Sequence, residues 1–202
     1  MQKSPQDVLK DIKAKKFAPI YVIHGDEPFF IDQVADALED GILREDEKSF
    51  NQFVLFGKDQ TMGSVISYAR RYPMMAERQV IIVKEASFLE ALAKGKEAKG
   101  NDDLKAWEDY CERPTDSTVL IFTIKNLVAE KAKVLAVAEK HGVIVCSKKI
   151  KEDKVGVWLK DYLTQKGLRI QAASVELMVS FVGADLQRMA HEADKLVVNL
   201  PQ

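Results

Sequence analysis

The segment HGDEPFF, residues 24–30, is the first place where residue types and spacing are typical of a binding site. It follows a short apolar run that begins at Ile20 and precedes a helical pattern, which is the position of the phosphate loop in nucleotide-binding α/β proteins. Such a loop holds phosphate with glycine amides, a lysine, and a Ser or Thr that helps to bind Mg²⁺. The candidate chemistry is therefore nucleotide binding and hydrolysis.

The loop lacks most of the residues that this chemistry requires. Gly25 is its only glycine, it has no lysine and no Ser or Thr, and Asp26 and Glu27 would repel a phosphate. Carboxylates at a helix N-terminus instead stabilise the helix, by about 0.3–1 kcal/mol each when exposed. The stretch TIKN at residues 123–126, where acidic residues for Mg²⁺ are expected, has no carboxylate. We predict no nucleotide hydrolysis and no bound cofactor.

The histidines and cysteines do not suggest another catalytic centre. His24, His141 and His191 are far apart, and Cys111 and Cys146 match no metal-ligand spacing. We interpret His24 as a strand-terminal residue bonded to nearby backbone and both cysteines as core thiols. An unrelated α/β enzyme with a pocket near His24 remains an alternative, because ligands of open sheets often bind at strand ends.

Two adjacent methionines, Met74 and Met75, stand out in the segment RRYPMMAERQ at residues 70–79. Pro73 ends the preceding helix, so both methionines fall outside its apolar stripe, in a short link before a buried strand. Methionine is unbranched and adaptable, which suits insertion into a partner's pocket. The pattern alone favours the other interpretation, in which one or both side chains tuck under the sheet.

Basic residues flank these methionines. Arg70, Arg71 and Arg78, together with the lysines of residues 94–99, could form a basic face. Because acidic residues are interspersed and the net charge is −1, a solvated surface is the favoured interpretation. A nucleic-acid-binding module stays open as an alternative.

The elements that must position these residues alternate between β-branched apolar runs and helical patterns, which indicates βαβ units. We predict a three-layer α/β fold with a parallel sheet. The stretch at 93–100 is polar and contains glycines, which predicts a mobile surface loop. Five strands are expected, at residues 20–24, 50–56, 80–83, 119–122 and 143–146.

From Lys151 onward only helices are predicted. The first is amphipathic and carries Trp158, the second carries Leu177, Met178 and Phe181, and Asp185 caps the third. The third has six apolar residues on one expected face: Leu186, Met189, Ala190, Ala193, Leu196 and Val197. We predict an α/β domain over residues 1–149 and a small helical domain over residues 150–202, belonging to a longer parent protein.

Composition agrees with a soluble protein. The 202 residues, 47% of them hydrophobic, can form a core without disulfides or metals. The sequence contains no apolar run near the ~20 residues of a membrane-spanning helix and no secretory signal. We expect a cytoplasmic location.

Three segments together resemble the delta subunits of the bacterial DNA polymerase III clamp loader. They are PIYVIHGDEPFFI at 19–31, PMMAERQVIIVK at 73–84 and VGADLQR at 182–188. The resemblance covers essentially the whole chain. It implies an AAA+-like (P-loop NTPase-type) domain without a functional phosphate loop, then a lid-like helical domain, with a helical collar domain beyond residue 202. An AAA+-type ATPase remains the alternative within this fold class.

The same resemblance implies a function and a site. Members of this family bind the sliding clamp, the beta subunit, and favour opening of its ring for loading onto DNA. Two adjacent apolar residues make that contact, and the matching positions here are Met74 and Met75, supported by Tyr72 and Pro73. Met75 departs from the aromatic residue that the family more commonly has there.

The resemblance also implies partners and the absence of catalysis. The expected partners are the clamp and the other loader subunits, with DNA contacted indirectly or weakly through the assembled loader. ATP energy would enter through sibling subunits. The chain itself is expected to be a non-catalytic component of a DNA-directed DNA polymerase, a nucleotidyltransferase holoenzyme.

Overall fold

A computed structural model describes residues 1–96 and 102–199. The chain divides into two compact units, residues 1–148 and the residues from 149 onward. The strands of the first unit are β1 (Gln2–Lys3), β2 (Ile20–Gly25), β3 (Gln52–Phe56), β4 (Gln79–Lys84), β5 (Thr118–Ile124) and β6 (Val143–Ser147). Its helices are α1 (Pro5–Lys13), α2 (Pro28–Gly41), α3 (Glu45–Asn51), α4 (Met62–Ala69), α5 (Ser87–Ala93), α6 (Asp103–Glu112) and α7 (Lys133–Ala138), with a 3₁₀ turn at Gly57–Asp59.

The strands form one sheet in the order β1-β6-β2-β5-β4-β3, and every pairing is parallel. The central strands are continuously apolar because helices cover both faces of the sheet. On one face, residues such as Val22 and Phe122 pack with α4, α5, α6 and α7. On the other, residues such as Ile23 and Ile121 pack with α1 and α2. The predicted three-layer parallel architecture is confirmed.

The sequence pattern missed several short elements. β1 has two residues, too few to show alternation. The strand expected from residue 50 begins at Gln52, because residues 45–51 form α3. That helix has an acidic first turn, and the Glu47 carboxylate accepts a hydrogen bond from the Arg44 amide at 2.9 Å. Of the expected mobile loop at 93–100, residues 97–100 lie outside the described residues.

The second unit consists of α8 (Glu152–Gln165), α9 (Ala172–Val182) and α10 (Leu186–Asn199). The Asp185 carboxylate accepts from the Arg188 amide at 2.9 Å, which confirms the predicted cap. The apolar residues that predicted α9 do not form its buried face, since Leu177 and Phe181 are exposed and Val175 is buried. The single apolar face expected for α10 is also only partly buried, because Leu196 is exposed.

Across residues 1–96 and 102–199, no helix has both the length and the apolar character needed to cross a membrane. Within the same ranges, no three His, Cys, Asp or Glu side chains are grouped so that they could hold a metal ion.

Candidate functional site

The loop after β2, where a phosphate would bind, is closed by hydrogen bonds to the two neighbouring strands. The Gly25 amide donates to the Asn126 carbonyl after β5, at 3.1 Å. The amides of Asp26 and Glu27 both donate to the carbonyl of Ser147 in β6, at 3.0 and 3.4 Å. The Ser147 hydroxyl in turn donates to the Glu27 carbonyl at 2.8 Å. Three consecutive amides that could face a phosphate are therefore already bonded to protein carbonyls.

Side chains complete this closure. Glu27 is buried, and its carboxylate accepts from the Phe29 amide at 3.3 Å, as an N-cap of α2. Pro28 has no amide hydrogen to offer. Gly25 has φ +153°, and a Cβ placed there would lie 1.7 Å from the Ser147 carbonyl oxygen. The backbone around Gly25 fits so closely that it leaves no room for a side chain at that position.

The position expected to supply acidic ligands for Mg²⁺ carries a cation instead. The Lys125 ammonium lies 3.7 Å from the Asp32 carboxylate and 3.9 Å from the Glu85 carboxylate. These contacts bring together α2 and the end of β4 at the carboxyl edge of the sheet. The end of β5 therefore carries a lysine paired with two carboxylates, where a nucleotide site would have a free carboxylate for Mg²⁺. The absence of nucleotide binding stays a prediction.

His24 has the structural role that the sequence indicated. It is buried, and its Nδ1 atom accepts a hydrogen bond from the Val128 amide at 3.2 Å. Burial, assisted by the Lys148 charge, lowers its pKa from the ordinary value and favours the neutral, accepting form. Cys111 is buried as expected, whereas Cys146 is only half-buried. Trp107 is fully buried and donates to the Val134 carbonyl, whereas Trp158 is half-buried.

The segment before β4 presents the opposite picture, because its apolar side chains face solvent. Met74 is 61% exposed, Met75 is 101% exposed and Tyr72 is 87% exposed. The interpretation in which the methionines tuck under the sheet is wrong. Pro73 is half-buried. The supporting roles of Tyr72 and Pro73 stay predictions. Tyr72 is too exposed to pack closely against the sheet.

The backbone of this segment is held by two buried amide side chains. Gln79, at the start of β4, donates from Nε2 to the Arg71 carbonyl at 2.5 Å and to the Thr118 hydroxyl at 2.8 Å. Asn51 accepts from the Met74 amide at 2.7 Å and donates to the Met74 carbonyl at 2.9 Å. Met75 has φ +52°, the left-handed region that a non-glycine residue rarely adopts. We call residues 72–75 in this arrangement the methionine tip.

A groove of about 840 Å³ borders the methionine tip, with Met75 on its rim and Lys15, Arg44 and Arg78 among its lining residues. The guanidinium of Arg78 lies 5.8 Å from the centre of the Phe17 ring, and that of Arg71 lies 4.2 Å from the Tyr68 ring. These arginines thus stack on aromatic faces beside the tip. The apolar tip thus has cationic, aromatic and acidic neighbours, since Glu47 and Glu77 also line the groove.

The sequence pattern missed Asn51 and Gln79 as parts of this site. Two weak signals were available: the amide of Gln79 directly before the apolar run of β4, and the amide of Asn51 directly before β3. Neither signal identifies a partner. Asn51 bonds to a residue 23 positions away, which requires the tertiary fold.

Another exposed apolar surface lies on the helical unit. Leu177, Met178, Phe181 and Leu196 line a shallow groove of about 480 Å³ between α9 and α10. Unlike the methionine tip, it lies on helices, and the described part of the helical unit has no buried Asn or Gln side chain that could hold it.

Comparison with known proteins gives this geometry a context. The protein family described as DNA polymerase III, delta subunit, matches residues 21–148. The DNA polymerase III subunit delta of Bacillus subtilis is 23% identical over 191 residues, which are 94% of this chain and 54% of that protein. The chain therefore spans about half the length of this relative.

Two solved structures share the fold. The DNA clamp loader delta protein of Bacillus subtilis matches with a TM-score of 0.79 and 23% identity, covering 95% of this chain and 56% of that one. A DNA polymerase III gamma subunit-related protein of Thermotoga maritima matches with a TM-score of 0.52 and 13% identity, covering 96% and 58%. The AAA+-like α/β fold followed by helices is thereby confirmed. The family match covers more than half of the residues of this chain, and the chain therefore belongs to the DNA polymerase III delta subunit family.

Proposed function

We propose that this chain is the clamp-contacting part of a clamp-loader subunit, which binds a sliding clamp through Met74 and Met75 and favours opening of the ring. The observation that carries the proposal is the methionine tip, in which two exposed apolar side chains lie on a backbone that buried amide side chains hold. The tip stands at the position that the family resemblance assigns to clamp contact.

The energetics suit a contact that selects between two states of a ring. Burial of a methionine side chain contributes about 1.5–3 kcal/mol before ordering costs are subtracted. Two such side chains can favour an open interface over a closed one, but they cannot drive repeated cycles of opening. The energy for cycling would come from loader subunits that hydrolyse ATP.

The closed loop after β2 supports a non-catalytic role. Its amides at residues 25–27 donate to Asn126 and Ser147 rather than to a ligand. An ATPase, the first alternative, would have to break these bonds. The net charge of −1 gives no support to a nucleic-acid module, the second alternative. Membership of a polymerase holoenzyme, contact with the other loader subunits, indirect contact with DNA and a cytoplasmic location stay predictions.

The test is the affinity of the chain for the sliding clamp of the same organism, measured for the parent and for Met74→Ala/Met75→Ala. We expect the affinity to fall by about 30-fold to several thousandfold, because the double substitution removes the two side chains proposed to enter the partner's pocket. Leu177→Ala/Phe181→Ala is the matched control. It removes two side chains that are also exposed, 58% and 76%, from the helical unit.

The control should bind like the parent. Equal losses from both pairs would mean that exposed apolar surface in general drives the association, and the proposed site would be wrong. Binding that survives the methionine substitutions would keep the partner and reject the site. A folded parent chain that does not bind the clamp would contradict the proposed function.

A further inference from the structure

The Asn51 side chain makes an unusual set of contacts with the methionine tip. Its Oδ1 atom accepts from the Met74 amide at 2.7 Å, and its Nδ2 group donates to the Met74 carbonyl at 2.9 Å. The second Nδ2 hydrogen bonds to the Glu47 carbonyl at 3.1 Å, within α3. Both donors of the amide are thus used, and one tip residue has both of its backbone polar groups bonded to a single side chain.

Asn51 is 1% exposed, so it cannot itself touch a partner. Its position is nevertheless fixed, because it is the last residue of α3 and directly precedes β3. It therefore connects the tip to the edge of the sheet across 23 residues of sequence. Any influence of Asn51 on binding has to act through the backbone of Met74.

The tip needs such a connection because its side chains pack little. Met74 is 61% exposed and Met75 is 101% exposed, so burial contributes little to ordering them. The φ of +52° at Met75 is unfavourable for a residue with a Cβ and persists only where the surroundings impose it. Gln79 fixes the start of the segment through Arg71, but Asn51 is bonded to the tip itself.

We propose that Asn51 is a positioning residue for the contact made by Met74 and Met75. It holds the tip in its binding geometry before the partner arrives, so that association does not have to order the backbone. The inference rests on the proposed function, and it adds a buried residue to a site otherwise defined by exposed ones.

The first measurement is hydrogen exchange at the Met74 amide in the free chain. The amide should be protected in the parent and should exchange faster in Asn51→Ala, because its acceptor is gone. Gln52→Ala is the matched control: this neighbouring amide side chain bonds to the Glu39 carboxylate at 3.1 Å. The control should leave exchange at Met74 unchanged.

The second measurement is a double-mutant cycle of clamp affinity. Asn51→Ala alone should weaken binding by about 5- to 30-fold, the effect of having to order about one residue's backbone on binding. In the Met74→Ala/Met75→Ala background the same substitution should change affinity by less than about twofold, because the groups it positions are absent. Asn51→Ser, which keeps a hydroxyl but cannot span both Met74 groups, serves if Asn51→Ala does not fold.

The outcomes separate the two proposals. Parent-like affinity of a folded Asn51→Ala with a fast-exchanging Met74 amide would overturn the positioning role and leave the proposed function intact. Equal losses in both backgrounds would show that Asn51 acts on folding or on another surface, and would also overturn the positioning role. No binding by the parent chain would overturn the proposed function and the positioning role together.

Discussion

The loop after β2 and the methionine tip, which we call the closed corner and the exposed corner of the sheet, differ in which of their groups face solvent. The loop after β2 lies at the carboxyl edge of the strands, and the methionine tip, before β4, lies at the amino edge. In the loop, backbone amides and the Glu27 carboxylate all bond within the protein. At the tip, Asn51 bonds to both backbone polar groups of Met74 and Gln79 holds the carbonyl of Arg71 just before it, but the apolar side chains project into solvent.

The difference shows how one fold can keep its arrangement of strands and helices while the ligand it suits changes from a small charged molecule to another protein. Ligands of open α/β sheets usually bind at the carboxyl edge, through free amides and charges. In the loop after β2, the amides of residues 25–27 are instead bonded to Asn126 and Ser147, and the Glu27 carboxylate caps α2. The opposite edge offers exposed apolar side chains on a backbone that is hydrogen-bonded to Asn51, an arrangement that would suit a pocket on another protein.

The closed corner is expected to tolerate no added side chain. Gly25→Ala should lower the free energy of unfolding by about 3 kcal/mol or more, because its Cβ would lie 1.7 Å from the Ser147 carbonyl oxygen and the backbone must shift. Gly167→Ala is the control, with φ +79° and no atom within 4 Å of an added Cβ. It should cost only about 1–2 kcal/mol, from backbone strain. Chemical denaturation measures both, and equal losses would contradict the close fit.

At the exposed corner, we expect the Met75 side chain to contribute to binding while its backbone conformation lowers the free energy of unfolding. Met75→Gly should leave the free energy of unfolding unchanged or raise it by up to about 1 kcal/mol, because glycine adopts φ +52° without strain. The same variant should lose affinity for the clamp. Met62→Ala, which truncates a buried methionine of α4, should instead cost about 2–5 kcal/mol. A large loss of stability in Met75→Gly would mean that the Met75 side chain packs in solution.

The smallest expected effect concerns nucleotide. About 1 mM MgATP should not change the melting temperature, because the amides of residues 25–27 are already bonded. A ligand with a Kd of about 10 μM would add about 2.7 kcal/mol at that concentration, or about 5–10 °C for a chain of this size. A phosphate-loop ATPase measured alongside provides the positive control. An increase of that size in the melting temperature of this chain would show that the loop after β2 is open to nucleotide, and would contradict the contrast between the two corners.

The architecture could be predicted from the sequence because it depends on patterns that are local and strong. The continuous apolar run at residues 80–83 required a strand covered on both faces, and the missing lysine of the loop after β2 is visible without coordinates. The helix α3 and the two-residue strand β1 were missed because neither shows a periodicity. Two features of the site depend on distant contacts. Adjacent methionines at a corner look the same whether they are buried or exposed, and Asn51 has no local sign of its bond to Met74.

Methionine oxidation tests the central claim most directly, because it reads the two proposed contact residues without replacing them. In the free chain, peroxide should oxidise Met74, Met75 and the exposed Met1 quickly, and the buried Met62 and Met189 slowly. With enough clamp to bind nine-tenths of the chain, oxidation of Met74 and Met75 should slow by about tenfold while Met1 is unchanged. Unaltered oxidation of Met74 and Met75 in a demonstrated complex would contradict the proposed site.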